Sequence, residues 1–142
     1  MSAQHLDKPR DILPHRPPFL LLDAVVDCHE RSARAVRTFR REEDFFAGHF
    51  PGNPVVPGVL LLEGMAQTFA YVVLRNQREA DVYLTGVDKA RFRKPVLPEQ
   101  TVEFVVEIDQ LRLGVIFGSA EAWVGEQRVA NARLSGIVTR SA

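Results

Sequence analysis

The stretch that decides the fold is AGHFPGNPVVPGVLLLEGMAQTFAYVVLRNQ, residues 47–77. Its first part, residues 47–58, contains three prolines and three glycines, which hold the backbone tightly and keep it out of regular structure. Residues 59–77 contain no helix breaker except Gly64, so they are predicted to form a helix of about five turns, roughly 30 Å long. Apolar side chains cover most of its circumference, and such a helix must be buried on most sides.

Segments with strand character lie on both sides of this helix. Residues 19–28 and 32–39 are predicted to pair through a turn, and the alternation in residues 101–111 is typical of a one-faced antiparallel strand. The other predicted strands are 82–87, 90–96, 115–124 and 128–138, with turns at Leu113-Gly114 and Gly125-Glu126. We expect a single α+β domain over residues 1–142, a curved antiparallel sheet wrapped around one long central helix, with residues 1–10 as a flexible or weakly docked lead-in.

Composition limits the possible functions. The chain has 142 residues, and its 18 basic and 18 acidic side chains give no net charge, which argues against a dedicated nucleic-acid binder. The single cysteine, Cys28, cannot form an intrachain disulfide and suits a reducing compartment. The polar N-terminus and the lack of any run of about 18 apolar residues predict a cytoplasmic protein without membrane insertion.

His49 and Glu63 are the candidate acid–base pair. His49 lies in the rigid loop, and stiffness of this kind is often found at functional sites. Glu63 falls in the second turn of the apolar helix, where a carboxylate is costly unless it is paired, protonated or lining a cavity. Gln67, one turn further on the same face, can hydrogen-bond to the Glu63 carboxyl and orient it. A histidine base and a carboxylic acid suit an elimination, although a Glu63 tied to an arginine is the structural alternative.

Gly58 is the third candidate because it opens the helix. Free backbone N–H groups and the helix dipole favour developing negative charge there, and glycine lets a ligand approach the backbone. A thioester carbonyl polarised by the Gly58 N–H would stabilise an enolate-like transition state. An ordinary helix start is the alternative reading.

The remaining reactive side chains are assigned no chemistry. His5 and His29 are expected on the surface, His15 is expected to be structural, and Cys28 is expected to be a core residue. The chain contains no HExxH, Cys-pair, GxGxxG, P-loop or GxSxG motif, so neither metal nor nucleotide chemistry is expected.

Three motifs resemble those of one enzyme family. GHFPGNPVVPGVLLLEGMAQ (residues 48–67) resembles the signature of the 3-hydroxyacyl-acyl-carrier-protein dehydratases of the FabZ type. LPHRPPFLLLD (residues 13–23) and FRKPVLP (residues 92–98) are similar to that family's N-terminal and later motifs. The resemblance implies a hotdog fold, with active sites at a homodimer interface and three dimers in a hexamer.

The resemblance also implies residue roles. By position, His49 removes the C2 proton, Glu63 delivers a proton to the departing C3 hydroxyl, the Gly58 N–H holds the thioester carbonyl, and Gln67 supports Glu63. Phe50 and Val59 are assigned to substrate binding. No cofactor is implied beyond the phosphopantetheine arm of an acyl carrier protein, and Arg91, Arg93 and Lys94 are candidate docking residues for that acidic partner. A solvated strand face is the alternative for these three cations.

Four positions depart from the family pattern, and two other functions stay open. Pro17 replaces an aromatic residue, Ala24 an arginine, and Glu99-Gln100 the usual Gly-Asp. These changes leave the acyl-chain length and the pathway open. A paralogue dedicated to polyketide or polyene synthesis is one alternative. A hotdog acyl thioesterase is the enzymatic alternative, and a non-catalytic acyl-binding protein is the alternative of another class.

Overall fold

A six-stranded antiparallel sheet packs around one central helix in the computed structural model, which describes residues 6–140. The strand order is β1-β2-β4-β5-β6-β3, so β1 and β3 form the two edges. The central helix, α3, contacts five of the six strands, β2 to β6. The elements in chain order are α1 (Pro9–Ile12), β1 (Ala24–Cys28), β2 (Ser32–Thr38), α2 (Phe45–Gly48), α3 (Gly58–Leu74), β3 (Ala80–Phe92), β4 (Thr101–Arg112), β5 (Val115–Val124) and β6 (Gln127–Arg140).

Burial explains why α3 lies at the centre. From Met65 to Leu74 every residue except Ala66 is buried, which leaves no polar face for solvent. Strands β4 and β5 alternate buried and exposed side chains, so their apolar rows face the helix. Gly64 allows α3 to pack tightly against β4, because a Cβ at that position would lie 2.2 Å from the ring of Phe104 on β4. The expected α+β hotdog architecture is therefore confirmed.

Three of the predicted strands have the wrong bounds. Residues 19–23 are not a strand, although Leu21 and Leu22 are buried, and β1 begins at Ala24. Residues 82–87 and 90–96 are not two strands but one, β3, which continues to Phe92. No break separates them; instead the register against β6 shifts between Asp88 and Arg91, with Lys89 at φ +52°. A bulge bends a strand without ending it, and apolar patterning does not distinguish the two.

The N-terminal segment is docked where the structure describes it. The Tyr71 hydroxyl donates to the Asp7 carbonyl at 2.6 Å, and the Arg78 guanidinium contacts the Asp7 carboxylate at 2.9 Å. Leu6 packs against the core, and Pro9 and Ile12 of α1 are buried. The predicted lead-in is thus attached to the domain over residues 6–10, while residues 1–5, including His5, lie outside the described residues.

Strand β3 is an unusual edge. It has 13 residues, pairs with β6 along one side, and exposes several large apolar side chains. These are Tyr83, Leu84, Val87 and Phe92. A long apolar edge strand is a template for pairing with another chain, so this edge is a candidate interface.

Glu99, one of the departures from the family motif, occupies a position that favours glycine. Its φ is +70°, in the left-handed region. Its carboxylate accepts hydrogen bonds from the Arg41 N–H at 2.7 Å and from the Arg40 guanidinium at 3.1 Å. These interactions, the Arg41 N–H first, lower the pKa of the Glu99 carboxyl below its ordinary value of 4.5. The side chain thereby anchors the segment after β2 and offsets an unfavourable backbone conformation.

Over residues 6–140 the structure contains no helix that is both long and apolar enough to cross a bilayer.

We expect Glu99→Gln to destabilise the protein in a pH-dependent way. A carboxyl with a lowered folded-state pKa stabilises the fold fully above its unfolded pKa of 4.5, and this contribution is lost as the pH falls through the lower folded value. The difference in urea-unfolding free energy between the wild type and the variant should therefore be present near pH ~7 and shrink below pH 4.5. Glu126→Gln, in the exposed β5–β6 turn, is the matched control. A Glu99→Gln difference that is constant with pH would contradict the charged anchor.

Candidate active site

Gln67 is the buried polar residue around which the site is built. Its side chain is 1% exposed, and every group of its amide is used. The Oε1 atom accepts from the Leu21 N–H at 2.8 Å, while Nε2 donates to the Phe19 carbonyl at 2.8 Å and to Glu63 Oε2 at 3.0 Å. Because Oε1 faces an N–H donor, the amide cannot be reversed without losing these bonds. The helix, the irregular segment 19–23 and the carboxylate are therefore held together, as the predicted Gln67–Glu63 contact requires.

Glu63 lines a pocket at the open side of α3. The pocket is about 220 Å³, and its wall contains residues of the helix, of the N-terminal segment and of β3. The lining residues are His15, Phe19, Glu63, Ala66, Gln67, Phe69, Ala70, Val82, Tyr83, Leu84 and Gly136. A quarter of the Glu63 side chain is exposed, so this carboxylate is less buried than expected and is held by an amide rather than by an arginine. Among the situations that the sequence allowed for this carboxylate, lining a cavity is the one that describes its position.

His15 lies directly against Glu63. Its Nε2 atom is 3.7 Å from Glu63 Oε2, and a quarter of its side chain is exposed. The sequence predicted a structural role for His15, and nothing in the motif that contains it indicated this contact with Glu63. Phe19, Tyr83 and Leu84 were likewise not predicted at the site, because they reach the pocket from distant parts of the chain.

His49 has one defined ring nitrogen. Its Nδ1 atom lies 2.9 Å from the carbonyl oxygen of Val55, which can only accept a hydrogen bond. Nδ1 therefore carries the proton, and in the neutral ring Nε2 has a free lone pair. The loop fixes this arrangement through a second bond, from the Val55 N–H to the His49 carbonyl at 2.9 Å. His49 is thus held in the tautomer that a general base needs.

The structure does not bring His49 and Glu63 into one pocket of a single chain. His49 is not among the residues that line the Glu63 pocket. Its ring stacks on Phe50, with ring centroids 4.2 Å apart, and Phe50 is half exposed. Within one chain, the two residues of the predicted acid–base pair therefore do not share a pocket.

Gly58 and two of the predicted docking cations border a second depression. Its lining includes Gly58, Phe92, Arg93 and Lys94. A Cβ at Gly58 would lie 2.9 Å from the Phe92 ring, so this glycine makes room for an aromatic side chain. As the first residue of α3, Gly58 has an N–H without an acceptor inside the helix. Val59, beside it, is 68% exposed and available for contact.

Among residues 6–140, no group of three His, Cys, Asp or Glu side chains is arranged to hold a metal ion.

Comparison with known proteins assigns the chain to a family. The family model described as a FabA-like domain matches residues 13–133. The 3-hydroxyacyl-[acyl-carrier-protein] dehydratase FabZ of Wolbachia sp. subsp. Drosophila simulans is 42% identical over 130 residues, which are 89% of this chain and 91% of that protein. The chain belongs to the FabZ-type dehydratases of the FabA-like family.

Two further matches bear on this FabZ-type chain. The bifunctional enzyme LpxC/FabZ of Chlorobaculum tepidum is 42% identical over 133 residues, but the chain spans 28% of that protein's length. The solved dehydratase heterocomplex ApeI:P from Xenorhabdus doucetiae superimposes with a TM-score of 0.80 at 16% identity, covering 97% of this chain and 93% of that one. At such low identity this match supports the fold alone.

We expect Gln67→Leu to reduce both stability and activity of this FabZ-type chain. The substitution leaves the Leu21 N–H and the Phe19 carbonyl without partners, at a cost of about 1–3 kcal/mol, and releases the Glu63 carboxylate. Urea unfolding and steady-state kinetics measure the two effects. Thr68→Val is the matched control, because it removes one buried hydroxyl that donates to the Gly64 carbonyl and touches no site residue. Unchanged kcat in a folded Gln67→Leu protein would contradict the positioning role.

Proposed function

We propose that this FabZ-type chain dehydrates (3R)-3-hydroxyacyl-carrier thioesters to trans-2-enoyl thioesters in fatty acid biosynthesis, with His49 as base and Glu63 as acid. The observation that carries the proposal is the tautomer of His49. In the neutral ring, an Nδ1–H held by the Val55 carbonyl leaves Nε2 unprotonated, so that Nε2 can accept the C2 proton.

The two residues divide the elimination between them. The C2–H bond breaks as His49 Nε2 takes the proton, the C2=C3 double bond forms, and the C3–O bond breaks. Glu63 protonates the leaving hydroxyl, so one water departs and Glu63 becomes a carboxylate. Gln67 Nε2 already donates to Oε2 and stabilises the charge that develops there. Proton return from His49 to Glu63 completes the cycle.

Gly58 is the proposed binding point for the thioester. Its N–H, at the start of a 17-residue helix, is positioned to donate to a carbonyl oxygen that gains negative charge. Phe92 and Val59 beside it supply apolar contact, and Phe50 supplies it beside His49. The reaction as written moves only protons and water, so the proposal includes no cofactor besides the carrier's phosphopantetheine arm. The proposed location is the cytoplasm, since the lone buried cysteine suits a reducing compartment.

A homodimer is the proposed way to complete the site. His49 and Glu63 lie on different surfaces of one chain, so a second copy that pairs through β3 could place the partner's histidine at the Glu63 pocket. Support comes from the apolar edge of β3, whose Tyr83 and Leu84 both line that pocket. Three such dimers in a hexamer belong to the same proposal, and light scattering measures the mass in solution.

The proposed carrier-docking residues are Arg91, Arg93 and Lys94. All three are exposed, and the last two border the depression that contains Gly58. Arg93 is held by a hydrogen bond from Nε to Asn131 at 2.8 Å, which fixes one cation at the depression's edge. An acidic partner would therefore meet a preformed positive charge where the arm enters.

The assay that tests the activity follows product mass and ultraviolet absorbance with purified 3-hydroxyacyl-carrier substrates of several chain lengths. Loss of one water with gain of enoyl absorbance supports the proposal. Release of free acid would instead indicate a thioesterase, and no reaction at any length would indicate a non-catalytic or specialised role.

Two inactive variants should complement each other. We expect His49→Ala and Glu63→Ala each to lose about 10²–10⁴-fold of kcat, because each removes one proton-transfer group. Equal amounts folded together should recover about a quarter of wild-type activity, since about half the dimers are mixed and each has one intact site of two. His49→Ala mixed with the doubly substituted chain is the control and should stay inactive. Mixed dimers without recovered activity would contradict the shared site.

Charge reversal should separate docking from chemistry. We expect Arg93→Glu with Lys94→Glu to raise KM for carrier-bound substrate by about 10-fold or more, with little change for the same acyl group on a short pantetheine arm. Arg112→Glu, at the exposed end of β4, is the matched control. An equal KM change on both substrates would show that these residues contact the acyl arm rather than the carrier.

A further inference from the structure

His15 completes the surroundings of the Glu63 carboxylate. Two side-chain nitrogens lie next to Glu63 Oε2: the amide Nε2 of Gln67 at 3.0 Å and the ring Nε2 of His15 at 3.7 Å. The second distance is too long for a hydrogen bond, so His15 acts through its charge distribution and by filling space. With Oε2 held on two sides, Oε1 is the oxygen that can face a substrate in the pocket.

The other ring nitrogen of His15 determines its charge state. Nδ1 is buried and has no hydrogen-bond partner among the described residues. A protonated ring would place an unpaired N–H there, which is more costly than an unpaired lone pair. In the neutral ring, Nε2 then carries the proton and directs it toward Glu63.

The groups around His15 agree with a neutral ring. Burial lowers the pKa of His15, although the nearby Glu63 carboxylate opposes that shift. Arg16, the adjacent cation, directs its guanidinium to the carbonyls of Leu13 and His15 rather than to the imidazole. The Phe19 ring lies nearly parallel to the imidazole, with centroids 6.1 Å apart, and limits its rotation.

We propose that His15 is a positioning residue for Glu63: a neutral ring whose Nε2–H dipole lies beside Oε2, the oxygen to which Gln67 donates, so that Oε1 is left to deliver the proton. This inference rests on the proposed dehydration. When Glu63 gives up its proton, negative charge develops on the carboxylate, and a donor dipole already aimed at Oε2 stabilises that charge without reorganisation. The contribution therefore belongs to the chemical step and not to substrate binding.

Two substitutions separate a donor from a merely structural side chain. His15→Phe keeps a planar ring without a donor, and we expect kcat to fall about 5- to 20-fold with KM nearly unchanged. His15→Gln places an amide nitrogen near the Nε2 position, and we expect it to retain most of the wild-type kcat. His29→Phe, on the exposed β1–β2 turn, is the control for loss of a histidine. Equal kcat in the Phe variant and the wild type, or equal losses in the Phe and Gln variants, would overturn the proposal.

A second measurement does not depend on dehydratase activity. In protein with ¹⁵N-labelled histidine, we expect His15 to occupy the Nε2–H tautomer near neutral pH. Glu63→Gln should move the His15 titration to lower pH, because ionised Glu63 raises the His15 pKa and the glutamine amide carries no charge. The ring resonances of His29, on the exposed β1–β2 turn, serve as the internal reference for the pH series.

The two measurements distinguish the possible failures. An unmoved His15 titration in Glu63→Gln would overturn the positioning contact whatever the enzyme catalyses. If the His15 titration moves but the wild-type protein releases free acid from the thioester substrate, the contact with Glu63 is supported and the proposed dehydration is overturned.

Discussion

The burial of one polar side chain, Gln67, is the constraint on which the rest of the structure depends. An amide inside an apolar core is tolerated only when its donors and acceptor are all satisfied, and Gln67 uses the backbone at Phe19 and Leu21 and the Glu63 carboxylate to do so. The central helix therefore cannot pack without ordering the segment before β1. The same hydrogen bonds that stabilise the core also fix the proposed acid, so fold and chemistry share one network.

The division of the acid–base pair has a consequence for how the protein works. Each chain holds His49 in a stiff loop and Glu63 on a buried helix, and the two surfaces lie apart within that chain. The proposed shared site would exist only in the assembly, so activity and oligomer stability would depend together on protein concentration. The apolar edge of β3 then serves two purposes, because Tyr83 and Leu84 belong both to the edge and to the Glu63 pocket.

The departures from the family motif lie outside the hydrogen-bond network of Gln67. Pro17 and Ala24 line a surface groove beside the N-terminal segment, together with Leu20 and Leu22. Glu99 takes a left-handed conformation and compensates through hydrogen bonds to the segment that follows β2. None of these side chains is hydrogen-bonded to His49, Glu63 or Gln67. The substituted residues are instead part of the scaffold that carries the loops.

The sequence alone determined the elements whose signals are local. Composition and period identified the apolar helix, the alternating strands and the two hairpin turns, and the motif in residues 48–67 identified the family. Local patterning could not distinguish a bulge from a strand end near Lys89, nor an extended buried segment from a strand at Leu21 and Leu22. The contact of His15 with Glu63 joins residues far apart in the chain. Only tertiary structure could decide it, because non-local packing sets which side chains meet and leaves no periodic trace in the sequence.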